Sequence, residues 1–153
     1  MIKKKIIIII SLIFFLNNCG FTPIYLNNTD VNFSIEQIDY LGDRELNNFL
    51  KINLNNYKNT ESDNKIFIEV NSNFEKNILS KDGAGKVTNY QLLANVIFLI
   101  KPINKEIIIT EKIIMDIKDD KFEEDRYERQ MKQNFASSIS NKLRSELTIM
   151  NDL

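Results

Sequence analysis

The C-terminal part of the chain carries an apolar residue at every fourth position, and this spacing restricts the possible folds more than any other feature. The run begins at Tyr127 and ends at Leu147, with mostly polar residues between its members. A period of four residues produces one stripe along a helix, so we predict a long amphipathic helix from Asp120 to about Met150. A helix of this kind must bury its stripe against another part of the chain.

A second, shorter helix is predicted after Gly42. Asp43 suits the N-cap because its carboxylate can accept a hydrogen bond from the first helical turn. Apolar residues then follow at helical spacing: Leu46, Phe49, Leu50, Leu54 and Tyr57. This helix also has a single apolar stripe, which again requires a packing partner.

Four segments have the composition and alternation of strands. The first, 31–40, changes phase between Ile35 and Ile38, which predicts a bulge or a strand contacted on both faces. The other three are predicted at 65–74, 88–100 and 106–117, with turns at 80–86 and near 104–105. The order β-α-β-β-β-α predicts an α+β fold with both helices packed on one face of a four-stranded mixed sheet.

The sheet face away from the helices also contains apolar residues in the third and fourth strands. They are Leu93, Ile97 and Leu99 in the third strand and Ile108 and Ile114 in the fourth. A sheet covered on one side only normally alternates cleanly, but in these two strands the second face stays apolar. Two explanations remain open: the ordinary isoleucine-rich composition of these strands, or a surface for a partner or for acyl chains.

The N-terminal segment has the pattern of a secretory signal. Lys3, Lys4 and Lys5 precede a nearly unbroken apolar run at 6–16. The run is shorter than the roughly 20 residues that a transmembrane helix needs. The signal ends at Cys19, the only cysteine, and in this respect it resembles a bacterial lipoprotein signal.

The resemblance implies a division of the chain into three parts. Residues 1–18 are expected to be a removed signal peptide and 19–30 a lipidated N-terminal linker. A single α+β domain is expected at 31–153. Acylation of Cys19 with two or more chains would anchor the protein stably to a membrane. With that thiol used, no disulfide can form within the chain.

Composition argues against several functions. The chain has no histidine, and its one cysteine is assigned to the anchor, so two common catalytic and metal-binding groups are missing. The glycine-containing segment 82–86 lacks the spacing of a phosphate-binding loop. The net charge is −1, which offers no basic surface for nucleic acid. We therefore expect no enzymatic activity, cofactor, metal or nucleic-acid partner.

Several segments resemble a known family. Cys19–Tyr25, with the sequence CGFTPIY, closely resembles the start of the mature lipopolysaccharide-assembly lipoprotein of Gram-negative outer membranes, in its alphaproteobacterial form. The resemblance continues at Ile38–Tyr40, at Asp43–Arg44 with the helix that follows, and at Tyr90–Ala94. The Cys-Gly-Phe-Thr-Pro segment is the distinctive part.

This resemblance implies a fold, a location and a set of partners. Members of the family pack two helices on a small mixed sheet and form a plug inside a large outer-membrane β-barrel. Together the two proteins place lipopolysaccharide in the outer leaflet, and the lipoprotein helps the barrel to assemble. The expected location is therefore the outer membrane, with the protein lipid-anchored and facing the periplasm. The alternative is a freestanding periplasmic lipoprotein that binds a small lipid or solute.

Lysines near the predicted turn are candidates for lipopolysaccharide binding. The acidic groups of lipopolysaccharide need cations, and Lys76, Lys81 and Lys86 flank the turn between the second and third strands. Lysine binds phosphate as a point charge. The alternative is that these lysines are solvated and only keep the hairpin soluble.

Overall fold

The computed structural model describes residues 33–58, 65–101 and 103–151. The elements are strand β1 (Ser34–Gly42), helix α1 (Arg44–Leu54), a short 3₁₀ helix (Asn55–Tyr57), strands β2 (Lys65–Lys81), β3 (Val87–Lys101) and β4 (Lys105–Asp116), and helix α2 (Lys121–Asn151). The predicted order β-α-β-β-β-α is confirmed. The predicted signal peptide, the linker at 19–30 and Cys19 lie outside the described residues.

The four strands form one mixed sheet in the order β1-β2-β3-β4. β1 pairs with β2 in parallel, and the other two pairings are antiparallel. A parallel pair cannot be joined by a tight turn, so α1 serves as the crossover between β1 and β2. The remaining strands follow as hairpins. The predicted mixed sheet is confirmed.

The phase change predicted in β1 corresponds to an irregularity in its pairing with β2. The register shifts between Ile35 and Gln37. Because one residue is inserted there, Ile35 and Ile38 both point into the core although three positions separate them. The bulge therefore explains why residues from both phases of the strand pattern are buried on the same face of the sheet.

Both helices pack on the same face of the sheet, as predicted. The buried sheet residues on that face include Ile35, Ile38, Ile68, Val70, Leu92, Val96, Phe98, Ile100, Ile107, Ile109 and Met115. The helices contribute Leu46, Leu50, Leu54, Met131, Phe135, Ala136, Ile139, Leu143 and Leu147. Phe49, which was predicted to lie in this core, is half-buried and packs against its margin. One continuous core thus joins the sheet to both helices.

The junction of β1 and α1 brings the chain very close to β2. Gly42 has φ +98°, and a Cβ atom built there would lie 1.8 Å from the carbonyl oxygen of Ser72. The next residue, Asp43, donates its backbone N–H to that same oxygen at 3.0 Å. Its carboxylate accepts a hydrogen bond from the N–H of Leu46 at 2.7 Å, which confirms the predicted N-cap. Glycine is required here both by the backbone conformation and by the space available.

β2 is longer than the sequence pattern suggested. It was predicted to end at Phe74, but it continues to Lys81 and pairs with β3 along that extension. Lys76 lies opposite Leu92, and Ile78 lies opposite Tyr90. Residues 75–77 are polar, so they lack the apolar alternation by which strands are recognised. Their place in the sheet depends on partners in β3 and α2.

The shared core predicts a large difference between two alanine substitutions. Phe135→Ala should lower the free energy of unfolding by about 3–5 kcal/mol, because the ring is 6% exposed and its removal leaves a cavity. Asn48→Ala, on the exposed side of α1, should change it little. Chemical denaturation of both variants measures the difference, and similar losses would show that the helix faces are wrongly described.

Candidate functional site

The side of the sheet opposite the two helices, which we call the open face, has no covering element among the described residues. Its members form rows across β2, β3 and β4: Glu69, Leu99 and Glu106; Asn71, Ile97 and Ile108; Asn73, Asn95 and Thr110; Glu75, Leu93 and Lys112; and Asn77, Gln91 and Ile114. Ile108 and Ile114 are more than half exposed. This surface is therefore open to a partner.

The open face is mixed, because β2 contributes polar residues to it whereas β3 and β4 contribute most of the apolar ones. Between Glu69 and Asn77, every residue that β2 places on this face is polar. The apolar residues come mainly from β3 and β4, where the sequence pattern located them. Thr110 donates a hydrogen bond to Asn95 at 3.0 Å, which adds a polar contact across the β3–β4 half as well.

Two amide side chains on the open face form hydrogen bonds with the carboxylate of Glu75. The side chains of Asn73 and Asn77 each donate to the carboxylate of Glu75 at 2.9 Å. These hydrogen bonds, first from Asn77 and then from Asn73, lower the pKa of Glu75. The Glu75 carboxylate therefore stays ionised between the two amide side chains that flank it along β2. The open face presents hydrogen-bonding groups at its centre rather than a continuous apolar patch.

One end of the open face contains a groove of about 400 Å³. Its lining comes from β1, β2 and β3 and comprises Gln37, Asp39, Lys65, Phe67, Ile68, Glu69 and Lys101. Phe67 is 41% exposed there, and Lys101 forms an ion pair with Glu69. Gln37 donates to the carboxylate of Asp39 at 3.0 Å. The groove thus combines an aromatic ring with both signs of charge.

The β2–β3 hairpin has a well-defined tip. The side chain of Asp82 accepts hydrogen bonds from the N–H groups of Ala84 and Lys86, both at 2.9 Å. Gly85 has φ +83°, a conformation that glycine adopts without strain. Lys81 and Lys86 are both exposed beside this turn. Two of the three predicted lysines therefore lie together at the hairpin tip.

Lys76 lies on the other face of the sheet, under α2. Its ammonium group is 2.8 Å from the carboxylate of Glu124 and 3.2 Å from that of Glu128. It also lies 4.6 Å from the centre of the Tyr90 ring. Because its cation is already paired with two carboxylates, a phosphate would have to compete with them. The structure does not place Lys76 in one cluster with the hairpin lysines.

Lys132 extends this ion-pair network to α1. Its side chain is 10% exposed and lies 3.1 Å from Glu45, 3.7 Å from Asp43 and 3.8 Å from Glu128. It also lies 4.3 Å from the centre of the Phe74 ring. The network joins β2, α1 and α2. The four-residue spacing of Glu124, Glu128 and Lys132 could have indicated a charged helix edge, but not its partners on β2 and α1.

The network shifts the pKa values of two of its members, Lys76 and Glu124. Burial disfavours the charged form of Lys76, yet its hydrogen bonds to Glu124 and Glu128 outweigh burial and raise its pKa. The hydrogen bond from Lys76 lowers the pKa of Glu124, although burial opposes this. Both groups are therefore held in their charged forms around neutral pH. Their chemistry is that of a structural ion pair.

No group of three or more acidic, cysteine or histidine side chains within the described residues could hold a metal ion. No helix in this part of the chain has the length and apolarity needed to cross a bilayer. The candidate site is the surface composed of the open face and the hairpin tip.

Comparison with known proteins identifies structures of the same fold. No family model matches the sequence, and no curated protein matches it. The rare lipoprotein B of Shewanella oneidensis aligns with 75% of this chain and 98% of its own, with a TM-score of 0.53 and 21% identity. An uncharacterized lipoprotein B of Nitrosomonas europaea aligns with 80% of this chain and 88% of its own, with a TM-score of 0.56 and 16% identity. At these identities the likeness shows a shared fold.

The ion pair of Glu124 predicts a pH-dependent stability. A glutamate whose pKa is lowered by folding stabilises the protein above its unfolded pKa of about 4.3, and this contribution is lost as the pH falls through the lower folded value. Glu124→Gln should therefore be less stable than the wild type at about pH 7, and the difference should shrink toward about pH 3. Thermal unfolding across this range measures it.

Glu123→Gln is the matched control for this measurement. Glu123 lies on the exposed side of α2, with only a 4.0 Å contact to Arg126. Its replacement should change stability little at any pH. If the two variants behave alike, the ion pair between Glu124 and Lys76 does not contribute as described.

Proposed function

We propose that this protein is a lipid-anchored outer-membrane subunit of the lipopolysaccharide translocon. In this role it plugs a large β-barrel protein, helps that barrel to assemble and assists delivery of lipopolysaccharide to the outer leaflet, without enzymatic activity. The proposal is supported by the CGFTPIY segment at Cys19–Tyr25 and by the fold shared with rare lipoprotein B of Shewanella oneidensis. The proposed location is the periplasmic side of the outer membrane.

The mixed chemistry of the open face is the observation that carries the proposal. The interior of a large membrane barrel is polar on average, so a plug must offer hydrogen-bonding groups rather than a continuous apolar surface. The amide rows around Asn73 and Asn95 meet this requirement. Separated apolar residues such as Ile97 and Ile108 can fill hollows between polar groups. A surface for acyl chains would instead be uniformly apolar.

The proposed anchor depends on Cys19, which lies outside the described residues. Acylation of this cysteine with two or more chains would hold the protein at the membrane without a transmembrane helix. The folded domain would then remain on the aqueous side, where a barrel lumen is accessible.

Photo-crosslinking in cells tests the plug role. A photoreactive residue at Asn73, in the middle of the open face, or at Ala84, at the hairpin tip, should capture a large outer-membrane β-barrel subunit. A photoreactive residue at Ile52 is the control, because this side chain is 67% exposed on α1 and belongs to neither surface. Mass spectrometry identifies the captured protein. Capture of periplasmic proteins alone would favour a freestanding lipoprotein that binds a small lipid or solute.

The hairpin lysines are the proposed contacts for the acidic groups of lipopolysaccharide. Lys81→Ser combined with Lys86→Ser should weaken binding of purified lipopolysaccharide several-fold and reduce its dependence on salt, because exposed charges act through a screened field. Lys51→Ser combined with Lys105→Ser removes the same charge elsewhere and should preserve binding. Unchanged binding after loss of the hairpin lysines would place the contact on another surface.

Lys76, the third predicted contact, needs a separate measurement. Lys76→Ser would also break the ion pairs with Glu124 and Glu128, so a loss of binding could reflect a weakened fold. For the Lys76→Ser variant, both the melting temperature and the affinity for lipopolysaccharide should be measured. Weaker binding with an unchanged melting temperature would assign Lys76 to the ligand.

A further inference from the structure

The two edges of the sheet differ in how well they are protected from further pairing. β1 has nine residues and carries the bulge between Ile35 and Gln37. β4 has twelve residues and pairs with β3 continuously from Lys105 to Asp116 without a register shift. Its outer edge pairs with no strand in the described part of the chain. A long, regular and unpaired edge is a template for another strand.

The outer side of β4 is also open and partly apolar. A groove of about 340 Å³ runs beside it, lined by Ile107, Ile108, Ile109 and Thr110 from β4 and by Lys142, Ser145 and Glu146 from α2. Ile108 is 59% exposed and Ile114 is 57% exposed. A strand added at this edge would shield the flanks of these two isoleucines from water.

The sequence of β4 is self-complementary in one antiparallel register. If two copies pair about a two-fold axis at Glu111, each apolar position meets an apolar position of the other copy. The opposed pairs are Ile107 with Met115, Ile108 with Ile114, and Ile109 with Ile113. Directly opposed residues share a face in antiparallel pairing, and each of these pairs has its members on one face of the sheet. An isologous interface requires such self-complementarity.

Neighbouring registers are less favourable. Moving the axis to Thr110 places Ile108 opposite Lys112 and Ile109 opposite Glu111. Moving it to Lys112 places two lysines opposite each other, and like charges in that position are destabilising. With the axis at Glu111, its two copies do meet. Each carboxylate is 2.7 Å from Lys142 and accepts a hydrogen bond from Ser138 at 2.6 Å, so its charge is compensated within its own chain.

We propose that β4 is a self-association edge, at which two copies of this chain join antiparallel about Glu111 into one continuous sheet. The partner is a second copy, because the register that matches the apolar residues is one in which the strand meets itself. Glu106 then lies opposite Asp116 at both ends of the seam. The two carboxylates repel each other, which weakens the association and keeps it reversible. Replacing one of them by a cation therefore provides a test. The inference does not depend on the proposed translocon role.

Sedimentation of the full-length protein in mild detergent, over a range of concentrations, tests the association. The wild type should form a reversible dimer. Ile108→Lys should raise the dimer dissociation constant at least tenfold, and Glu106→Lys should lower it by placing a cation opposite Asp116. The control is Ile52→Lys, which changes an equally exposed isoleucine on α1 and should leave the constant unchanged. A wild type that stays monomeric throughout overturns the proposal.

Thiol crosslinking tests the register. Chains with Ile108→Cys are mixed with chains with Ile114→Cys and treated with a short bismaleimide, since these positions are directly opposed in the proposed seam. The mixture should give crosslinked dimers, and each variant alone should give few. The wild type under the same treatment controls for Cys19. Equal crosslinking of the Ile108→Cys chain with itself would overturn the register, and dimers unaffected by Ile108→Lys would place the interface elsewhere.

Discussion

The fold depends on the burial of two apolar helix stripes against a single face of one sheet. Leu46, Leu50 and Leu54 of α1 share a core with the long stripe of α2 and with the sheet. Burial of this kind is the main favourable term in folding, and it uses only one of the two sheet faces. Because both helices take the same face, the opposite one is left for other contacts. The candidate binding surface is therefore a consequence of how the core forms.

The ion-pair network determines which charges remain available for binding. Lys76, which is partly buried, lies close to carboxylates of α2, and the buried Lys132 lies close to a carboxylate of α1. Removing one member of such a network leaves its partner unpaired, which costs more than the intact pair contributes. These lysines are consequently part of the fold. The exposed cations at the hairpin tip, Lys81 and Lys86, are free of this structural role.

The open face and the β4 edge use different groups of the same sheet. Contacts on the open face involve side chains, such as the amides of Asn73 and Asn95. Pairing at the edge involves backbone N–H and C=O groups in the plane of the sheet. A second copy joined at β4 would extend the sheet without covering its open face. Self-association and binding of a larger partner therefore draw on separate features of one small domain.

Local periodicity in the sequence determined the element order, the helix stripes, the N-cap at Asp43 and the bulge in β1. These features depend on near neighbours, and the spacing of apolar and capping residues records them directly. Only the tertiary structure decided the full length of β2 and the surroundings of Lys76. The carboxylates that pair with this lysine lie 48 and 52 positions away, on α2. A polar strand segment has the same local pattern whether it faces solvent or a helix, so contacts distant in sequence decide its environment.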